Sequence, residues 1–204
     1  MHFRVESAML YIVDDDPTVR RSLVMLVQTI GIDVREYATG EAFLSDPRNR
    51  DASCVVLDIS MPGLTGLEVQ VRMVEEGMNV PVIFVTGHGD VPSAVNAMRN
   101  GAVDFLQKPF DDQTFLERVQ QCIRRGRELR HEEEQRTAIE ARLATLSQRE
   151  REVLTLVVAG NMNKVIAAAL GISTKTVEDH RASLMRKMQV RSVAELVRMV
   201  AASR

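Results

Sequence analysis

The chain has 204 residues, no tryptophan and a net charge of −2. This length allows one or two domains, each large enough to bury a core. No apolar stretch approaches the roughly 18 residues of a membrane span, and the N-terminus lacks a basic region followed by a long apolar segment, so we expect neither a membrane segment nor a signal peptide.

The first 120 residues alternate between strand-like and helix-like segments. Strands are predicted at 9–13, 33–38, 54–57, 82–86 and 104–107. Helices are predicted at 18–30, 40–44, 67–76, 93–100 and from 111 onward. Several of the strands are near-continuous apolar runs, as expected for a parallel sheet covered on both faces. The order predicts a doubly wound, flavodoxin-like α/β domain with five parallel strands, whose functional residues gather at the carboxyl ends of the strands.

Residues 121–145 are charged on nearly all sides. They are typical of an exposed helix that continues the fifth helix, or of a partly flexible linker. A weak coiled coil is the minor alternative, because apolar residues are too sparse for regular heptads.

After Ser147 the pattern predicts an all-α bundle of four helices. Ser147 and Glu150 form a capping box, and a second helix covers Asn163–Leu170. Ser173 caps a third helix that reaches about Met188, and Ser192 opens the fourth.

The two parts also differ in charge. Residues 1–118 carry 10 basic and 18 acidic side chains, whereas residues 147–204 carry 10 and 5. An acidic first part and a basic second part suggest two functions, the second next to a polyanion.

Three consecutive aspartates, 14–16, follow the first predicted strand. Asp14 and Asp15 are expected at the edge of the sheet where Asp58, Thr86 and Lys108 also lie. Converging carboxylates are tolerable around a hard divalent cation, and a lysine and a threonine suit a phosphoryl group. The pattern therefore favours attack of a carboxylate on phosphorus with a metal ion present.

The third aspartate has a different predicted role. Asp16 precedes Pro17, and an acid followed by proline is typical of a helix start. We therefore expect Asp16 to be the N-cap of the first helix.

Four segments, "IVDDDP", "VVLDISMPGLTG", "FVTGHGD" and "FLQKPF", together resemble the receiver domain of two-component response regulators over roughly residues 8–125. The resemblance implies that Asp58 is the phospho-acceptor. It also implies that Mg²⁺, or Mn²⁺ in its place, is bound by Asp15, Asp58 and the Ser60 carbonyl, with Asp14 acting through water.

The same resemblance gives expected roles to residues after the fourth and fifth strands. Thr86 and Lys108 would contact the phosphoryl group, Phe105 matches the aromatic switch position, and Pro109 the proline that follows a cis peptide. Plain core packing is the alternative for Phe105.

For one histidine and two cysteines, a structural role is favoured over a chemical one. His88 could suggest phosphohistidine or metal chemistry, but an exposed loop residue is favoured. Cys54 and Cys122 lie in apolar surroundings and are expected to be buried and reduced in the cytosol, not joined in a disulfide or a metal site.

In residues 163–182, Ala167, Gly171 and Val177 have the spacing of a helix-turn-helix. With "LSQREREVL" before and "KMQVRSVAELV" after, residues 145–204 resemble the LuxR/NarL/FixJ-type DNA-binding domain. The segments "GNMNKVIA" and "TGHGDVP" are most similar to those of FixJ- and StyR/TodT-like regulators.

The third helix of this domain would be the recognition helix in the major groove of DNA. Val177, Leu184 and Met188 should pack inward. The outward face also carries Glu178 and Asp179. An acid there could accept from cytosine N4; alternatively, one of the two points along the groove edge or pairs with a neighbouring basic side chain such as Lys175. Surface solubility is the alternative for the basic residues. The predicted DNA-contacting residues are Lys164, Lys175, Thr176, Glu178, Asp179, Arg181, Ala182, Arg186 and Lys187.

The predicted organisation is a receiver domain at 8–121, a helical linker at 122–144 and a DNA-binding domain at 145–204. We expect a transcriptional activator of the bacterial cytoplasm. A sensor histidine kinase would phosphorylate it, and the phosphorylated protein would dimerise on promoter DNA and contact RNA polymerase. An aspartyl-phosphate phosphatase of the haloacid dehalogenase type is less favoured, because Ser60 lies where a second aspartate is needed. A receiver that acts only through protein partners is disfavoured by the basic bundle.

Overall fold

A computed structural model of the chain describes residues 8–87 and 91–202. The chain divides into two compact units, Met1–Arg130 and His131–Arg204. Within the described residues, no helix is both long and apolar enough to cross a bilayer.

The first unit is a five-stranded parallel sheet with strand order β2-β1-β3-β4-β5. The strands are β1 (Met9–Val13), β2 (Asp33–Tyr37), β3 (Cys54–Asp58), β4 (Val82–Thr86) and β5 (Asp104–Gln107). The helices are α1 (Pro17–Gln28), α2 (Gly40–Ser45), α3 (Gly66–Glu75), α4 (Val91–Arg99) and α5 (Asp112–Ala144). The predicted doubly wound α/β class is confirmed.

Alternation along the strands gives the sheet an apolar core on each face. Tyr11 faces one core cluster, whereas its neighbours Leu10 and Ile12 face the other. Because the strands are covered on both faces, their apolar runs are continuous, and this explains why a parallel sheet could be predicted from them.

The start of α1 has the predicted cap. The Asp16 side chain accepts hydrogen bonds from the backbone N–H groups of Thr18 and Val19, and Pro17 is the first helical residue. This cap holds the pKa of Asp16 below its usual range, because the backbone hydrogen bonds favour the carboxylate.

The prediction of two reduced cysteines is wrong. Cys54 and Cys122 form a disulfide with a Cα–Cα separation of 5.7 Å. Sequence reasoning missed the pair because the two residues are 68 positions apart and become neighbours only when α5 packs on β3.

α5 is 33 residues long and includes the segment interpreted as linker. For residues 121–145, the structure agrees with the prediction of an exposed helix that continues the fifth helix, and not with a flexible linker. Ion pairs along its exposed side, such as those of Arg136 with Glu133 and Glu140, support the helix where it has few apolar contacts.

The second unit contains α6 (Gln148–Val158), α7 (Asn163–Leu170), α8 (Thr174–Met188) and α9 (Val193–Ala202). The capping box of Ser147 and Glu150 is present at the start of α6. Gly171 ends α7 in the left-handed conformation with φ 63°, which glycine adopts without strain. The core of this unit includes Ile166, Val177 and Leu184, all fully buried.

Candidate functional site

Two carboxylates and one ammonium group meet at the carboxyl ends of the strands. Lys108 Nζ donates to Asp14 Oδ2 at 2.8 Å and to Asp58 Oδ1 at 3.2 Å. Asp14 and Asp58 are only 2% and 5% exposed, at the ends of the adjacent strands β1 and β3. The ammonium group therefore neutralises part of the repulsion between two buried acids.

Burial changes the proton affinity of this group of residues. It raises the pKa of Asp58, and Asp14 adds to the rise, whereas Lys108 partly opposes it. Burial alone would lower the pKa of Lys108, but the hydrogen bond to Asp14 and the charges of both carboxylates outweigh burial and raise it. Lys108 is therefore firmly protonated when the acids are ionised.

Backbone groups fix the orientation of both carboxylates. Ser60 N–H donates to Asp58 Oδ2 at 2.8 Å, and Asp16 N–H donates to Asp14 Oδ1 at 2.9 Å. Lys108 N–H donates to the Thr86 carbonyl at 2.8 Å, and a cis peptide joins Lys108 to Pro109. The Thr86 side chain is fully buried at the end of β4.

The residues proposed as metal ligands are only partly assembled. Among the described residues, no group of three or more acidic, histidine or cysteine side chains is arranged to hold a metal ion. Asp15 is exposed beside Asp14, and the Asp14 and Asp58 carboxylates are close to each other. These are hard oxygen donors with net negative charge, so the set fits Mg²⁺ chemically.

Phe105 is half-buried on β5 and packs against the same core as Tyr11. Packing of this kind is compatible with either interpretation of Phe105, so its role stays a prediction. His88 lies outside the described residues.

Arg20 is a residue of this site that sequence reasoning missed. Its Nη1 donates to the carbonyl oxygens of Asp14 at 2.7 Å and Asp15 at 3.1 Å. Only its position one turn after the cap residue Asp16 could have indicated this contact. Arg20 holds the backbone that carries both acids.

In the second unit, α7 and α8 form the predicted helix-turn-helix. Ala167 and Val177 are buried at the positions expected for helix crossing, and Gly171 makes the turn between them. The Ser173 side chain caps α8 by accepting from the Thr176 N–H. This cap places Thr176 in the first turn of α8.

One face of α8 is exposed and carries both signs of charge. Lys175 Nζ lies 3.4 Å from Asp179 Oδ1, one helical turn away, so the free protein has the ion pair that was one of the two alternatives for the acids. The other exposed residues on this face are Glu178, Ala182 and Arg186.

Two other predicted DNA contacts are engaged within the unit. Arg181 Nη1 donates to Asn163 Oδ1 at 2.7 Å, which joins α8 to α7. Lys187 Nζ donates to the buried Glu150 at 2.6 Å and to the Thr145 carbonyl at 3.1 Å. Lys164 is exposed on α7.

Family models match both units. The response regulator receiver domain matches residues 10–120, and the luxR family of bacterial regulatory proteins matches residues 144–200. The chain belongs to the response regulator family. It is a two-component response regulator with a LuxR-type DNA-binding domain.

Similar proteins support this membership over nearly the whole chain. Transcriptional regulatory protein FixJ of Azorhizobium caulinodans is 45% identical over 95% of this chain and 92% of its own length. Response regulator protein TodT of Pseudomonas putida is 38% identical over 97% of this chain and 87% of its own length. The solved structure of response regulator StyR is 38% identical, covers 96% of this chain and 98% of its own, and has a TM-score of 0.84.

The membership also decides between the classes of function considered from the sequence. The relatives are regulators, and this response regulator is likewise a regulator and not an enzyme. A receiver domain implies a sensor kinase as partner, and a LuxR-type domain implies DNA.

Proposed function

We propose that this response regulator is a phosphorylation-dependent transcriptional activator in which Asp58 accepts a phosphoryl group from a sensor histidine kinase. The observation that carries the proposal is Lys108, which bridges Asp58 and Asp14 at the carboxyl edge of the sheet. The proposed boundaries are 8–121 for the receiver domain, 122–144 for the linker and 145–204 for the DNA-binding domain.

In the proposed reaction, a carboxylate oxygen of Asp58 attacks phosphorus and the imidazole nitrogen of the kinase leaves. Asp14, Asp15, Asp58 and the Ser60 carbonyl would hold Mg²⁺, or Mn²⁺ in its place. The bound cation supplies neutralisation of the charge that develops on the phosphoryl oxygens. The Ser60 N–H and the Asp58 carboxylate are already oriented by their hydrogen bond.

The Lys108 ammonium is well placed to contact the phosphoryl group once Asp58 carries it. Nζ is 3.2 Å from the Asp58 oxygen before the reaction, so a short movement exchanges the carboxylate for a phosphoryl oxygen. The Thr86 hydroxyl would contact a second phosphoryl oxygen, and Phe105 would follow Thr86. Such a local change can alter the packing of α4 and β5 and so favour a homodimer.

For DNA we propose that α8 enters the major groove with its exposed face. Lys175, Glu178, Asp179, Ala182 and Arg186 would face base edges and nearby phosphates, and Thr176 and Lys164 would approach the backbone. Arg181 and Lys187 would contact DNA only by sharing or exchanging the hydrogen bonds they make to Asn163 and Glu150. Their main contribution is then to hold α8 in place.

A dimer raises the effective concentration of the second α8 on an operator with two half-sites. One phosphoryl group per chain thus changes DNA occupancy, and RNA polymerase is the expected further partner of the bound dimer. The kinase and promoter DNA place the protein's action in the bacterial cytoplasm.

The test is phosphorylation by acetyl phosphate with Mg²⁺, followed by DNA binding. Wild type should gain one phosphoryl group and bind promoter DNA more tightly, whereas Asp58→Ala should do neither. Asp33→Asn is the matched control, because Asp33 is an exposed aspartate at the opposite end of a strand. Equal labelling of wild type and Asp58→Ala would refute the proposed acceptor.

A further inference from the structure

The disulfide between Cys54 and Cys122 joins β3, the strand of the proposed phospho-acceptor, to the long helix α5. Cys54 is the first residue of β3, the strand that ends at Asp58, and Cys122 lies on α5. Both side chains are fully buried. The pair therefore lies inside the core of the first unit and not on its surface.

The face of α5 that carries Cys122 lies against the segment that leads into β3. A Cβ at Gly126, one turn after Cys122, would overlap the Ser53 carbonyl oxygen, so only glycine allows this approach. One turn further on, Arg130 Nη2 donates to the Asp51 carbonyl at 2.8 Å. Three consecutive turns of α5 thus contact one short segment, and the disulfide is the covalent member of that set.

The disulfide closes a loop that contains every residue proposed for the switch. Asp58, Thr86, Phe105 and Lys108 all lie between Cys54 and Cys122, which are 68 residues apart. The link holds α5 to the start of β3 and reduces the conformations that the segment between them can adopt when it opens locally. It therefore opposes local opening around β4, α4 and β5, the elements that the proposed switch has to rearrange.

Disulfides are rare in reducing compartments, and those that do form there are usually transient and redox-sensing. We propose that Cys54 and Cys122 form a reversible redox clamp, which in its oxidised state weakens the response of the receiver to phosphorylation. The regulatory part of this inference rests on the proposed function of Asp58; formation of the clamp does not.

The oxidation is balanced with a peroxide as oxidant. One thiol attacks hydrogen peroxide, the O–O bond breaks, and a sulfenic acid and one water are formed. The second thiol attacks the sulfenic sulfur, the S–S bond forms, and a second water leaves. A cellular dithiol reverses the reaction by thiol–disulfide exchange and is itself oxidised to a disulfide.

Because both sulfur atoms are buried, reaction requires local opening of α5. Gly126 favours such opening, since glycine inside a helix lowers helix stability. Oxidation and reduction should therefore be slower in the folded protein than in the unfolded chain.

The experiment uses the full chain, either reduced with dithiothreitol or oxidised with hydrogen peroxide, with the reagent then removed. Wild type is compared with Cys54→Ala and Cys122→Ala, which share its eleven methionines and so control for methionine oxidation. Peptide mapping detects the cross-link. Amide hydrogen exchange of β4 and β5 is measured on the unphosphorylated protein. Dimer formation is measured after treatment with acetyl phosphate and Mg²⁺.

We expect the cross-linked peptide in oxidised wild type only, slower exchange in β4 and β5, and a several-fold loss of phosphorylation-driven dimer formation that dithiothreitol restores. Absence of the cross-link overturns the clamp. An equal loss of dimer formation in either oxidised single-cysteine variant overturns it as well. A cross-link that changes neither exchange nor dimerisation overturns its regulatory role. If reduced wild type is not labelled at Asp58, the proposed function fails, while peptide mapping and hydrogen exchange still decide the clamp.

Discussion

Lys187 on α8, the helix proposed to enter the major groove, forms an ion pair of 2.6 Å with Glu150 at the start of α6. Glu150 is 4% exposed and also accepts from Ser183 and from the Ser147 N–H, so its carboxylate joins two helices and a cap. Orientation of α8 thus depends on a buried acid that lies outside the surface proposed to face DNA.

Replacement of this acid should destabilise the second unit. Glu150→Gln leaves the Lys187 ammonium, whose side chain is one-third exposed, with a neutral partner, and loss of a charge-assisted hydrogen bond of this kind costs about 2 kcal/mol. Thermal unfolding of the full chain should show the loss, whereas Glu152→Gln, a more exposed acid on the same helix, should change stability little. Equal effects of the two substitutions would contradict the role of the Glu150–Lys187 pair.

The stability difference between Glu150→Gln and wild type should depend on pH. The hydrogen bond from Lys187, together with that from Ser147 N–H, lowers the pKa of Glu150 to about 2 from 4.5. A carboxyl with a lowered pKa stabilises the fold fully above its unfolded pKa and loses that contribution as pH falls through its folded pKa. The difference should therefore be constant near neutral pH and shrink between pH 4.5 and pH 2. A difference that stays constant over this range would show that the charge of Glu150 is not the cause.

Lys108→Met should change how the receiver responds to Mg²⁺. A divalent cation at the proposed metal site would compete with the ammonium group for the Asp14 and Asp58 carboxylates, so removal of Lys108 should strengthen binding of the cation. Mg²⁺ should then raise the melting temperature of the variant more than that of wild type, because a ligand of the folded state stabilises it by mass action. Lys175→Met, in the other unit, is the matched control, and an unchanged Mg²⁺ response in Lys108→Met would argue against a cation at these carboxylates.

Arg186 and Arg181 lie on the same helix and should respond differently to substitution. Arg186→Ala should weaken DNA binding and reduce its salt dependence by about one charge, with little effect on stability. Arg181→Ala removes the hydrogen bond to Asn163 and should lower the melting temperature as well. Binding measured at several salt concentrations, with thermal unfolding beside it, separates the two; unchanged binding of Arg186→Ala would move the recognition surface elsewhere.

Most of the fold could be predicted from local sequence patterns. Strand and helix periods predicted the five strands and most helix ends to within a few residues, but neither the short 3-10 helix at Pro47–Asp51 nor the position where α5 ends. The caps at Asp16, Ser147 and Ser173 were visible because capping depends on residues only two or three positions apart. The convergence of Asp14, Asp58 and Lys108 followed from a general rule on parallel sheets and needed no side-chain detail.

Contacts between distant residues could not be predicted in this way. The Cys54–Cys122 disulfide and the Glu150–Lys187 pair depend on how helices pack, and neither spacing nor composition encodes them. The Arg20 contacts to the Asp14 and Asp15 carbonyls are local, but backbone acceptors carry no sequence signal beyond the position of Arg20 one turn after Asp16. Long arginine and lysine side chains are especially ambiguous, because the same residue suits a phosphate, a carboxylate or a carbonyl.

Asp179 is the residue most able to distinguish reading of bases from simple attraction to DNA. Its carboxylate is exposed on α8 and pairs with Lys175, and an acid on this face repels phosphate while it can accept from cytosine N4. Asp179→Ala should therefore bind random DNA more tightly and select among sequences less, and Asp179→Asn, which keeps the shape, should lose selectivity chiefly at cytosine positions. Selection from random double-stranded DNA, with Glu178→Gln as the neighbouring control, measures both effects. A uniform loss of affinity with unchanged sequence preference would instead mean that Asp179 serves only to hold Lys175.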